Sequence, residues 1–250
     1  MNGVVRSLTL LLAALAASSC VNAGGNPELH AVAQPEKVLF VGNSLTYYNN
    51  GLHRHYRGLI GSASDGGQYA GRARIVTISG GQLPEHAGTL PVVLVSEQWD
   101  VVVMQGHTLG PISEGTAEPF RKAARDYARQ VRAAGAEPVF FMTWAYTDKP
   151  EMTAELDAAY SGIGEALDAR VVPVGLAFEA AIRDRPDIKL RTDDKRHPTL
   201  AGTYLAACMM VATLHDMSPE GLEYTAGLEP EVATYLQQAA WATTQAYGQR

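Results

Sequence analysis

Cysteine is scarce: two residues in a chain of 250. That excludes a disulfide framework as the source of stability. Charge is sparse as well, at 18%, with a formal net of −6 and no run of five basic residues. Nothing here forms the electrostatic footprint of a nucleic-acid-binding protein. The apolar run Leu8 to Ala17 is too short to cross a bilayer as a helix. Neither a P-loop nor a Gly-x-Gly-x-x-Gly fingerprint occurs, which leaves nucleotide binding without its usual cradle. What the chain does have is 46% hydrophobic residues, enough at this length to bury one full α/β core.

The first residues read as an address, not as fold. Met1 to Arg6 ends on a positive charge, Leu8 to Ala17 is rich in Leu and Ala, and small residues follow. This is the pattern of a secretory signal peptide, residues 1–23. Two processing routes fit. Cleavage after Ala23 gives a soluble exported protein, periplasmic or secreted. Alternatively, Ala17-Ser18-Ser19-Cys20 resembles a bacterial lipobox, and a lipidated Cys20 attaches the protein to a membrane. The polar, aperiodic stretch 24–36 reads as an N-terminal arm, and 37–250 as a single domain. Cys208 lies in an apolar helical run and reads as a buried small hydrophobe.

From residue 37 on, short apolar strands alternate with helical spacing. Val38 to Val41, Arg74 to Ser79, Asp100 to Gln105, Pro138 to Thr143 and Val171 to Val174 read as five strands. The apolar spacing predicts helices over 46–60, 83–98 (interrupted near Pro91), 118–134, 151–169, 199–214 and 229–247, and a further helical stretch ending at Arg183. Pro119 fits the first turn of the third of these. Residues 61–71 are Gly/Ser-rich and read as loop. This alternation predicts a three-layer α/β/α fold with a parallel five-stranded sheet.

The punctuation of the strand ends is where chemistry is expected. Gly42-Asn43-Ser44, Gly80-Gly81 and Gln105-Gly106-His107 all follow strands, and a parallel sheet brings them to one carboxyl edge. A serine hydroxyl needs an adjacent base, and the base needs an orienting acceptor. Asp194 and His197, three residues apart in a polar turn, can supply both. Asn43 is placed either as a stabiliser of the Ser44 turn or on substrate. Trp144 and Tyr146, after the fourth strand, are either packing or a surface on which a sugar ring stacks. Tyr47 and Tyr48 are likewise pocket wall or packing. His53 and His55, two apart on a helix, do not share a face, which argues against a metal there.

Together these segments resemble the SGNH, or GDSL-like, hydrolase superfamily across essentially the whole mature chain. Gly42-Asn43-Ser44 is similar to its first block, Gly80 or Gly81 to its second, and Asp194 to His197 to its fourth. The subgroup whose first block reads Gly-Asn-Ser looks nearest. The third block departs: where the family has Gly-x-Asn-Asp, this chain has Gln105-Gly106-His107-Thr108. The resemblance implies a flavodoxin-like fold, Ser44 as nucleophile, His197 as base and Asp194 as its partner. It also implies an oxyanion hole made of the Ser44 N–H, a Gly80 or Gly81 N–H, and a side chain from His107 or Gln105.

The first reading is therefore an exported esterase acting on carbohydrate or other small esters with short acyl groups, and requiring neither metal nor cofactor. The competing reading is a non-catalytic surface lipoprotein that uses the same fold to bind glycans. A third takes Gly42-Asn43-Ser44 as a phosphate-binding turn, which leaves Asp194 and His197 unexplained.

Overall fold

The computed structural model describes Met1, residues 34–63 and residues 71–249. The chain divides at residue 30 into two units, and the described residues from 34 onward belong to the second. Apart from Met1, the expected signal peptide with its Cys20, and the arm as far as residue 33, lie outside the described residues.

Five strands form one sheet in the order β2-β1-β3-β4-β5. They are β1 (Lys37–Gly42), β2 (Arg72–Thr77), β3 (Val101–Met104), β4 (Glu137–Phe141) and β5 (Arg170–Val172). Every pairing is parallel; Val38 sits opposite Ala73 on one side and Val101 on the other. Side chains of a strand alternate between faces. Val38, Phe40, Val101, Val103, Val139 and Phe141 thus enter the core beneath α2 (Leu52–Ala63), α6 (Val174–Asp184), α7 (Leu200–His215) and α8 (Pro230–Gly248). Leu39, Val41, Val102, Met104 and Phe140 enter the opposite core, beneath α3 (Leu90–Leu94), α4 (Glu114–Ala133) and α5 (Met152–Leu167). A sheet covered on both faces needs apolar residues at every position, which is why these strands read as unbroken runs.

The expected helix over 46–60 is two helices. The first, α1 (Ser44–Tyr47), is a single turn, and α2 starts only at Leu52. Between them Asn49, Asn50 and Gly51 take φ of 53°, 69° and 87°. Left-handed backbone cannot continue a right-handed helix, and Asn and Gly are the residues that tolerate it. Helix α2 then runs to Ala63, into the segment expected to be loop, and residues 64–70 lie outside the described residues. The expected helix over 83–98 is a 3-10 segment, Leu83–Gly88, followed by α3. Helix α4 begins at Glu114, so Pro119 falls inside the helix and not in its first turn. There it has no N–H to donate to the Gly115 carbonyl one turn earlier.

Helix α7 is buried along almost its whole length, because α8 covers the side turned away from the sheet. Among the described residues no helix is long and apolar enough to cross a membrane. The chain leaves β1 for β2 on one side and returns to β3 on the other. The carboxyl ends of β1 and β3 therefore flank the crevice where open α/β sheets place ligands.

Candidate active site

Strand β1 ends at Gly42, where a Cβ would overlap Gln105 Oε1 and Thr46 Oγ1. Asn43 then caps α1. Its Oδ1 accepts from the Leu45 N–H at 3.1 Å, and its Nδ2 donates to the Gly81 carbonyl at 2.9 Å. With the chain held at both ends of this turn, Ser44 becomes the first residue of α1, at the carboxyl edge of the sheet.

The second half of the site comes from the turn between α6 and α7. The Thr192 N–H donates to the His197 carbonyl at 2.9 Å and closes a loop over residues 192–197. Inside it, Asp194 Oδ1 accepts the backbone N–H groups of Arg196 and His197, both at 2.9 Å, and the Thr192 hydroxyl at 2.8 Å. The other oxygen, Oδ2, lies 2.5 Å from His197 Nδ1, and His197 Nε2 lies 2.9 Å from Ser44 Oγ. Desolvation pushes the Asp194 carboxyl up, but the hydrogen bonds from the His197 ring, the two backbone N–H groups and Thr192 hold it well below the usual carboxylate range. An ionised Asp194 accepts from Nδ1–H, which leaves Nε2 to accept the Ser44 hydroxyl proton.

Leu45, Gly80, His107, Thr108, Tyr146 and Arg196 line a cleft of about 120 Å³ beside Ser44 and His197. The backbone N–H groups of Ser44 and Gly80 have no acceptor among the described residues. Gly80 has φ +67° with open space where a Cβ would stand, so backbone conformation, and not crowding, calls for glycine there. His107 Nδ1 accepts from the Leu109 N–H at 3.2 Å. Burial, then the nearby Arg196 and His197, lower the His107 pKa. A neutral ring whose Nδ1 is an acceptor carries its proton on Nε2, and is a donor there.

No protein-family model matches the chain, and no curated protein matches its sequence. Solved structures do. A protein from Slackia heliotrinireducens assigned to the SGNH hydrolases is 27% identical, with a TM-score of 0.61 over 72% of this chain and 100% of that one. A DUF4886 family protein from Bacteroides uniformis is 20% identical, with a TM-score of 0.64 over 86% of this chain and 96% of that one. An acetyl xylan esterase from Geobacillus stearothermophilus is 16% identical, with a TM-score of 0.59 over 78% of this chain and 98% of that one. The fold is that of the SGNH hydrolases.

On this SGNH sheet the candidate residues divide. Ser44, Asp194, His197, Gly80, His107 and Tyr146 come together around the cleft, and four other candidates have different work. Gln105, one of the two candidate oxyanion side chains, is buried: its Oε1 accepts from the Asn43 N–H and the Thr46 hydroxyl, both at 3.0 Å, and its Nε2 donates to the Gly106 carbonyl. It ties β3 to the Ser44 turn, and its buried amide is turned to the Gly106 carbonyl and does not line the cleft. The Gly81 N–H is likewise taken, by the Ile78 carbonyl at 2.9 Å, which leaves Gly80 of the pair. Asn43 borders the cleft, but its side chain is committed to the turn.

Trp144, read either as packing or as a surface for a sugar ring, is packing and not a substrate contact. Its ring stacks on Phe178 at 4.2 Å and 1°, and it lines a separate hollow that shares neither Ser44 nor His197. Its one reach toward the site is indirect: Nε1 donates to the Arg196 carbonyl at 2.9 Å, which supports the turn carrying Asp194 and His197. Thr108 and Arg196, which line the cleft, were not singled out for it from sequence, and Tyr48, read as pocket wall or packing, stacks its ring on His197. Tyr48 follows Ser44 closely enough to be noticed, but its partner is 149 positions away along the chain, and no local pattern encodes that pairing.

Proposed function

We propose that the protein is an exported serine ester hydrolase that removes acetyl or other short acyl groups from carbohydrate or small esters. The observation that carries this reading is the unbroken hydrogen-bonded path from Ser44 Oγ through His197 to Asp194, with links of 2.9 and 2.5 Å. A base within that distance of a hydroxyl, itself held by an ionised carboxylate, is the arrangement nucleophilic acyl transfer requires.

In the reaction, Ser44 Oγ attacks the ester carbonyl as His197 Nε2 takes its proton. Asp194 holds the ring and balances the imidazolium charge. The carbonyl oxygen becomes an oxyanion and is met by the Ser44 and Gly80 N–H groups and by His107 Nε2–H. His197 returns the proton to the departing alcohol, leaving an acyl-serine. Water then repeats the sequence, with His197 as base, and releases the acid. The His107 proton replaces the Asn side chain of the family's third block, since an imidazole N–H donates as an amide does.

The size of the cleft, about 120 Å³, supports a short acyl group, since pockets for larger ligands run to roughly 300 Å³ and above. The shared fold with acetyl xylan esterases supports an acetyl ester on a carbohydrate. Export rests on the pattern of residues 1–23. The test is hydrolysis of p-nitrophenyl acetate and butyrate by the mature protein beside Ser44→Ala. Turnover of acetate above butyrate, abolished in the variant, is the expected result. Equal slow rates for both proteins would remove Ser44 as the nucleophile and favour a glycan-binding role.

A further inference from the structure

We infer that Arg196 selects esters whose alcohol carries a carboxylate, with O-acetylated uronic acids as the substrate class; this rests on the esterase reading above. Three cations lie in the segment 191–196. Arg191 donates to the Ala145 carbonyl, and Lys195 Nζ pairs with Asp148 at 3.3 Å. Of the three, only the Arg196 guanidinium has neither a carboxylate within salt-bridge distance nor a hydrogen-bond acceptor among the described residues. It stands over the face of Tyr146, 4.8 Å from the ring centroid, on the wall of the Ser44 cleft. An aromatic face orients a guanidinium but leaves its N–H donors open to an anion.

The main chain of Arg196 is pinned on both sides. Its N–H donates to Asp194 Oδ1 at 2.9 Å, and its carbonyl accepts from Trp144 Nε1 at 2.9 Å. The backbone that carries the cation is therefore fixed in register with His197, the next residue. The cleft is sized for a short acyl group, so a charge on the substrate must ride on the leaving alcohol, at the exposed rim where Arg196 lies. Net charge on the chain is −6, so the overall field repels an anion. A local, unpaired cation at the site must supply the attraction.

The decisive comparison uses two substrates that differ only at C6: the methyl glycosides of 3-O-acetyl-glucuronic acid and of 3-O-acetyl-glucose. The wild-type protein is expected to favour the uronate in kcat/KM by about fivefold or more, as a charge-assisted contact at a partly exposed rim provides. That ratio should shrink with added salt. In Arg196→Gln it should fall to near one, and Arg196→Lys should keep part of it. Ser44-dependent hydrolysis of both glycosides with no preference, or a preference untouched by Arg196→Gln, overturns the inference and leaves the esterase intact. If neither glycoside nor p-nitrophenyl acetate is hydrolysed, the esterase reading fails and this one falls with it.

Discussion

The Tyr48 ring lies flat against the His197 imidazole, with 4.3 Å between centroids and 5° between planes. Tyr48 closes α1, its N–H bonded to the Ser44 carbonyl at 3.1 Å. One short element thus carries both the nucleophile and the surface that the base rests on. The stack removes a rotational freedom that the hydrogen bond to Asp194 alone would leave to the ring. Tyr48→Ala is expected to lower kcat by about three- to tenfold, the worth of an aromatic contact, with little change in KM. Tyr48→Phe keeps the ring and should restore the rate. Steady-state kinetics on p-nitrophenyl acetate decides it: a loss in KM alone, or no recovery with Phe, assigns Tyr48 to substrate contact instead.

His107 and Gln105 are two residues apart and should fail in different ways. His107→Ala removes a donor at the cleft and is expected to reduce kcat by about 100- to 1,000-fold, with the thermal midpoint nearly unchanged. Gln105→Ala strips the acceptor from the buried Asn43 N–H and Thr46 hydroxyl. Unsatisfied buried groups cost about 1–3 kcal/mol each, so this variant should melt several degrees lower. Parallel kinetics and thermal unfolding separate them. A stable but inactive Gln105→Ala beside an active His107→Ala would reverse the two roles.

How far these roles were legible from sequence follows the range of the interactions that set them. The central strands of the sheet read directly, because burial on both faces leaves an unbroken apolar run such as Val101 to Met104. The Asp194 and His197 turn reads as well, because its hydrogen bonds stay within six residues. The break at Asn49-Asn50-Gly51 left a compositional trace, yet the apolar spacing from Leu45 to Tyr56 overrode it. The roles of Gln105 and Trp144 stayed open for one reason: each sits at a strand end beside the site but turns its polar atoms inward, toward Asn43 and Arg196. A residue type at an edge position does not say which way the side chain points. Tyr48 and Arg196 depend on partners brought close only by the fold.

Asp194 serves two purposes with its two oxygens, and one substitution can separate them. Oδ1 holds the backbone of the turn, whereas Oδ2 faces His197 Nδ1. In Asp194→Asn the amide oxygen can still accept from the Arg196 and His197 N–H groups, so the turn should persist. The amide nitrogen then faces Nδ1 and forces the opposite tautomer, which puts a proton on Nε2 where Ser44 needs an acceptor. The expected loss in kcat is on the order of 10⁴, as in other serine triads, with the thermal midpoint within a few degrees of wild type. Retention of more than about a tenth of wild-type kcat would mean that Asp194 acts on the turn alone.

His215, far from the cleft, sets a pH limit on the fold. It is buried at the end of α7, where Nδ1 lies 2.9 Å from Gln34 Oε1 and Nε2 lies 2.7 Å from the Tyr56 hydroxyl. Gln34 Oε1 can only accept, so Nδ1 donates and Nε2 accepts, which is a neutral ring. Burial, with Arg170 adding, pulls its pKa from 6.5 down to about 4. Between those values the unfolded chain binds a proton that the folded chain does not, so stability rises with pH across that window. The contribution is full above pH 6.5 and is lost as pH falls toward 4, at most about 3 kcal/mol for a shift of this size. Urea unfolding at pH 7, 5.5 and 4.5 should show the decline, partly overlaid by carboxylate titration. In His215→Gln the part belonging to this residue should vanish, so the two stability curves converge as pH falls. Parallel curves would mean that His215 is protonated in the folded state and that its burial does not govern the acid limit.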